Sequence, residues 1–145
     1  MHCVFCDIIQ SRSVASVIAE DELTLAIVDL RQFHPGHVLV IPRRHVTDIR
    51  EADDDTAAAV FRMTARVARA IDRVFPADGI SVWHSAGEGA NQEVPHLHVH
   101  VHPRFIGDDV LRVYPHAPTT PDRSTLEEYC GRLRQVIEAP ATDGR

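Results

Sequence analysis

The tightest constraint on this chain is the run Val94-Pro95-His96-Leu97-His98-Val99-His100-Val101-His102-Pro103, where histidines alternate with apolar residues between two prolines. Side chains alternate faces along a strand, so His96, His98, His100 and His102 belong to one face and Leu97, Val99 and Val101 to the other. Proline cannot donate to an interior ladder. Pro95 and Pro103 therefore set the expected limits of the strand, with about seven residues between them.

A face of imidazoles is costly to bury unless each ring is hydrogen-bonded or used. Three uses compete. The first is an ordinary half-exposed polar face, for which strand propensity would favour Thr or Tyr. The second is a three-histidine metal site, but same-face neighbours stand ~6.6 Å apart and converge poorly on one ion with ~2.1 Å bonds. The third is a histidine nucleophile whose neighbours hold its tautomer and neutralise an anionic substrate. The pattern favours the third.

The run Gln92-Glu93-Val94-Pro95-His96-Leu97-His98-Val99-His100-Val101 resembles the His-φ-His-φ-His-φ-φ signature of the histidine triad (HIT) superfamily of nucleotide hydrolases and transferases, φ being apolar. The similarity extends through Cys3-Val4-Phe5-Cys6-Asp7-Ile8-Ile9, Ala26-Ile27-Val28-Asp29 and Pro35-Gly36-His37-Val38-Leu39-Val40-Ile41-Pro42-Arg43-Arg44-His45, and spans residues 3 to 105. It implies attack by His98 on the α-phosphorus of a purine nucleotide conjugate, a nucleoside phosphoramidate or a dinucleoside polyphosphate, through a phosphohistidine. His100 and Gln92 would contact the phosphate. Phe5, Ile8, Ile27, Asp29, Leu30 and Ser85 would join Gln92, His98 and His100 in holding the nucleotide. It also implies a homodimer. The zinc-bearing members and related uridylyltransferases, which the sequence resembles, have a structural zinc here matched to Cys3, Cys6, His45 and His96. The other account of Cys3-x-x-Cys6 is two free thiols, since the pair is only half a tetrahedral site. Three departures stand out: His102 replaces the last φ, Ser85 replaces a common asparagine, and Glu93 replaces the serine of the phosphoramidase branch. A rival reading of the same residues is a nucleotide- or zinc-binding regulatory module without significant turnover.

Length and charge are compatible with this. A chain of 145 residues, 44% hydrophobic and 25% charged, can bury a real core. A net charge of -6 argues against a nucleic-acid backbone as partner. No apolar run approaches the ~20 residues of a membrane span, and the amino terminus lacks a signal-peptide pattern, so the expected location is the cytoplasm. Three cysteines make no disulfide framework, and Cys130 is expected to be buried.

The expected fold is α+β: an antiparallel sheet covered by a central helix, followed by a carboxy-terminal helix, with a domain over 1–105 and an extension over 106–145 packed on it. Val4, Phe5, Ile8 and Ile9 have the spacing of a short helix. Strands are expected at Leu23–Asp29, at His37–Ile41 before Pro42, and at Ile80–His84. Asp29 ends its strand, either capping a turn or accepting from both ribose hydroxyls. Asp53-Asp54-Asp55 opens a helix over 56–75 with Val60, Met63, Val67, Ile71 and Val74 as its buried face and Arg62, Arg66, Arg69 and Arg73 on a solvated one. Ser85 to Gln92 is a glycine-containing loop. Residues 106–123 are irregular. Ser124 and Glu127 then have capping-box spacing ahead of a helix with an apolar stripe at Leu126, Tyr129, Cys130, Leu133 and Ile137.

Overall fold

The computed structural model describes residues 2–137, whose contacts fall into two compact units dividing between Val110 and Leu111. The first unit runs α1 (Val4–Ile9), β1 (Val17–Glu20), β2 (Thr24–Val28), β3 (Val38–Pro42), α2 (Asp54–Val74), β4 (Gly79–Trp83) and β5 (Val99–Arg104). Its strands form one antiparallel sheet in the order β1-β2-β3-β5-β4. This is the α+β architecture expected from the sequence.

The inner strands are buried on both faces, and period-two alternation divides them between two cores. Ala26, Val38, Val40, Leu97, Val99 and Val101 face α2 and pack on Val60, Met63, Val67 and Ile71. Leu25, Ile27, Leu39 and Ile41 face the other way and pack on Cys3 and Phe5 of the α1 segment. Leu39 pairs with His100 across β3 and β5, so the imidazoles share the α1 face. Asp53 caps α2 by accepting from the Thr56 amide at 2.8 Å. The helix face stops one turn earlier than the spacing predicts: Val74 is exposed, because Phe75 at the helix end supplies the last apolar contact with that core.

The histidine strand does not fill the interval between its prolines. His96 to His98 precede it, with the Leu97 amide bonded to Val46 O at 2.7 Å, and pairing begins at Val99 and continues through Pro103. Proline is tolerated there for a local reason. Pairing with β3 ends at Val101, while Arg104 O accepts from the Asp78 amide on the β4 side, so Pro103 turns its nitrogen toward a side where β3 has already stopped. The edge strand β1 was not expected at all. Its four residues are mostly exposed, and it is held by a turn in which Asp21 Oδ1 accepts from the Leu23 and Thr24 amides and from Thr24 Oγ1.

The first unit extends to Val110 because buried Asp108 gathers the Arg104 guanidinium and the amides of Phe105 and Val110. In the second unit α3 (Arg123–Ile137) begins two residues earlier than a Ser124 cap allows. Asp122 is the cap, accepting from the Thr125 amide and Ser124 Oγ. No residue of α3 is buried, and Cys130 is exposed, contrary to expectation.

Gly36 sits at φ +111°, and an added Cβ would lie 2.7 Å from the Phe75 ring, whereas Gly79 has nothing within 4 Å of the same position. Gly36→Ala should therefore destabilise by about 1–3 kcal/mol, from backbone strain plus overpacking, while Gly79→Ala should stay within about 0.5 kcal/mol of wild type. Urea midpoints of the two variants check this.

Candidate active site and metal-ligating cluster

A cavity of about 300 Å³ opens over the α1 face of the sheet, lined by Phe5, Ile8, Ile27, Asp29, Leu30, His98 and His100 among others. Seven of the nine sequence-predicted nucleotide contacts are thus brought together. Ser85 and Gln92 do not line it. Gln92 is instead engaged in its loop: Oε1 accepts from the Gly87 amide at 2.7 Å, and Nε2 donates to Thr47 O and Val94 O at 2.7 and 3.0 Å.

Hydrogen bonds to carbonyls fix the imidazole tautomers, because a carbonyl can only accept. His98 Nδ1–H donates to His96 O at 2.7 Å, which leaves His98 Nε2 bare. His37 Nδ1–H donates to Arg31 O at 3.0 Å, so its Nε2 accepts from His100 Nδ1–H at 2.9 Å. The His37–His100 pair shares one proton when neutral, and His100 then presents a bare Nε2. Trp83 stacks on His100 with ring centroids 4.5 Å apart and planes 3° from parallel. Burial pushes His98 below the ordinary histidine range, and burial together with His98 and His37 pushes His100 down to about 3. Both rings are neutral at pH 7.

Asp29 is buried. Its Oδ1 accepts from the Arg31 amide at 2.9 Å, the turn-capping role, while Oδ2 has no hydrogen-bond partner. An orphaned carboxylate oxygen beside a cavity is a ready acceptor for a ligand hydroxyl. At the mouth, Arg31 and Glu93 form a two-point ion pair, with Nη1 to Oε1 at 3.1 Å and Nη2 to Oε2 at 2.9 Å.

On the other side of α1, Cys3, Cys6, His45 and His96 offer ligand atoms within 4.8 Å of one another. Cys3 Sγ lies 3.4 Å from His96 Nδ1, and Cys6 Sγ lies 3.3 Å from His45 Nδ1 and 3.7 Å from His96 Nδ1. A tetrahedral site with bonds of ~2.3 Å to sulfur and ~2.05 Å to nitrogen has a sulfur–nitrogen edge of ~3.6 Å. The three distances bracket that edge, so the donor set fits such an ion. His96 Nε2–H donates to Pro42 O at 2.9 Å, which leaves Nδ1 bare toward the thiols and supplies the outer hydrogen bond typical of a metal-bound imidazole. Burial and the neighbouring Cys3 push the Cys6 thiol up, so a metal would displace protons on binding.

His37, Trp83, His84 and Arg31 are site residues that sequence reasoning missed. His84 Nδ1–H donates to His98 O at 2.9 Å, steadying the backbone of the bare imidazole. The signal for His37 was its place at the head of β3, opposite the histidine run; Trp83 ends β4 and pairs directly with His100, while Arg31 and His84 depend on loop paths.

The shift at His100 has a sign for stability. Between pH 6.5 and about 3 the unfolded chain binds a proton that native His100 refuses, so stability falls as pH drops through that window. The urea midpoint should fall between pH 7 and pH 5, and should fall less in His100→Gln.

A sequence model of the HIT domain matches residues 10–107. The chain is 31% identical over 137 residues to adenosine 5'-monophosphoramidase hnt1 of Schizosaccharomyces pombe, covering 92% of this chain and 100% of that one. Among solved structures, a HIT family member from Bacillus subtilis matches with a TM-score of 0.89 at 30% identity, covering 97% of this chain and 100% of that one. A Zn-bound histidine triad family protein from Mycobacterium smegmatis matches with a TM-score of 0.71 at 36% identity, covering 94% and 98%. With the sheet order, the alternating imidazoles and these likenesses in agreement, the chain belongs to the HIT domain family.

Proposed function

We propose that this protein is a nucleotide hydrolase or nucleotidyl transferase that cleaves purine nucleotide conjugates, nucleoside phosphoramidates or dinucleoside polyphosphates, at the α-phosphate through a phosphohistidine on His98. The observation that carries the reading is the neutral His98 ring, with Nδ1–H on His96 O and Nε2 bare in a cavity that also holds Asp29. Phe5, Ile8 and Ile27 give base and ribose an apolar seat, and the free Oδ2 of Asp29 accepts from the sugar hydroxyls. His98 Nε2 attacks phosphorus; a P–N bond forms, and the bond to the leaving group breaks with its electron pair. The departing atom takes its proton from water, and His100 Nε2, bare in the neutral His37–His100 pair, is placed to accept a hydrogen bond from the group that results. Water then attacks phosphorus, the P–N bond breaks, and the imidazole returns to its neutral form. Gln92 acts by holding the loop beside the phosphate. The hydrolase name of the hnt1 relative supports the reaction class. A homodimer belongs to the same reading.

His98→Ala should lower turnover of an adenosine phosphoramidate at least a thousandfold while AMP affinity stays within about tenfold, because the nucleophile is lost and the sugar and base contacts remain. Steady-state hydrolysis and AMP titration decide it. Residual turnover within tenfold of wild type would remove the covalent step, and AMP binding by a wild-type protein that hydrolyses neither conjugate would leave a binding module.

The cysteine–histidine cluster is assigned a structural zinc held by Cys3, Cys6, His45 and His96. When bound, it would supply a cross-link between the amino-terminal segment and the sheet, with no chemical step of its own. The Zn-bound relative from Mycobacterium smegmatis supports the choice of metal. Untagged protein purified without added zinc should carry about one zinc per chain, Cys3→Ser should carry far less, and chelation should lower the melting temperature. Fewer than about 0.2 zinc per wild-type chain in metal analysis would overturn the assignment, since a closed four-ligand site should be nearly full.

A further inference from the structure

Arg31, from the β2–β3 connection, and Glu93, from the loop ahead of His96, meet in a two-point ion pair across the cavity mouth. Both side chains line the cavity, and both are well exposed, at 70% and 65%. Exposed pairs of this kind are weak and exchange readily for a better partner.

Fixed charge is scarce here. Among the described residues lining the cavity, Arg31 is the one guanidinium, and Asp29 and Glu93 are the carboxylates. An α-phosphate arriving at His98 adds negative charge to a mouth whose single cation is already taken. If the leaving group is also anionic, Arg31 can serve it only by leaving Glu93 unpaired beside two like charges. If the leaving group carries an ammonium, the exchange runs the other way. The ammonium replaces Arg31 on Glu93, Arg31 turns to the phosphate, and every charge keeps a partner. Glu93 is also suited to the task by its ionisation, because the Arg31 guanidinium holds its carboxyl below the usual range.

We propose that Glu93 is a cation subsite beyond the α-phosphate, exchanging Arg31 for an ammonium on the leaving group, so that the protein prefers nucleotide conjugates of amine-bearing groups over polyphosphate chains. This rests on the nucleotide reading of the cavity. Glu93 and Arg31 act as specificity residues; neither is the nucleophile.

The test uses binding of unreactive ligands, so that it does not depend on turnover. The 2-aminoethyl and 2-hydroxyethyl esters of AMP differ only in charge at one isosteric position, and their alkoxides are poor leaving groups. Wild type should bind the aminoethyl ester about threefold to fivefold more tightly at low salt, with the ratio shrinking at high salt as expected for an exposed pair. Glu93→Gln should bring the ratio to about one. The same variant should tighten ADP relative to AMP about threefold, because Arg31 is released to the second phosphate. Equal affinity for the two esters in wild type, or a preference that survives Glu93→Gln, overturns the subsite while AMP binding leaves the nucleotide site standing. Absence of hydrolysis with the ester preference intact overturns the hydrolase reading and keeps the subsite. Absence of AMP binding removes both.

Discussion

The site depends on backbone carbonyls that each take one ring N–H of an imidazole. Pro42 O receives His96, His96 O receives His98, His98 O receives His84, and Arg31 O receives His37, all between 2.7 and 3.0 Å. Because a carbonyl cannot donate, each bond fixes a tautomer and aims the remaining lone pair. His96 aims Nδ1 at two thiols, while His98 aims Nε2 into the cavity. The difference in chemistry between these two rings is set by which nitrogen the backbone claims. Burial then pushes His96 and His98 below the ordinary histidine range and so favours the neutral ring, which both a metal ligand and a nucleophile require.

The short helix α1 ties the two sites together. Six residues are too few to hold a helix in water, so its position must come from what it packs on. Phe5 meets the His96 ring at 5.7 Å and the His98 ring at 5.3 Å, and with Ile8 it forms part of the cavity wall. Cys3 and Cys6 turn to His96 and His45 on the other side. Anything that holds the cysteines therefore also holds the apolar wall.

The alternation in the histidine run was legible because period two is imposed by the strand itself, and Leu97, Val99 and Val101 do face the α2 core. The stripe Val60, Met63, Val67 and Ile71 was legible for the same kind of reason at period 3.6. Pro103 was misread because its cost depends on which side of the strand still has a neighbour, a property of where β3 ends. β1 escaped notice because a short exposed edge carries no alternation to read. Cys3 and His96 lie 93 residues apart in sequence, and no local pattern places them at 3.4 Å; only the family resemblance joined them. The Arg31–Glu93 pair was invisible for the same reason, since it depends on two loop paths.

Strand geometry finally explains why four similar side chains have four different surroundings. Same-face residues stand ~6.6 Å apart, too far for neighbouring rings to share one ion, although His98 and His100 meet with ring centroids 5.1 Å apart. His96 goes to the cysteines, His98 to the cavity, and His100 to His37 and Trp83. His102 continues past the cavity: its ring lies 4.7 Å from His37 and 5.7 Å from His34, its Nδ1–H donates to Pro103 O, and its buried Nε2 has no partner. A leucine or valine at 102 would leave nothing unsatisfied, so the orphaned nitrogen is a cost the alternation does not require. His102 sets an unpartnered nitrogen in the ring next to His37 without lining the cavity, so the fourth imidazole extends the ring cluster rather than the cavity wall.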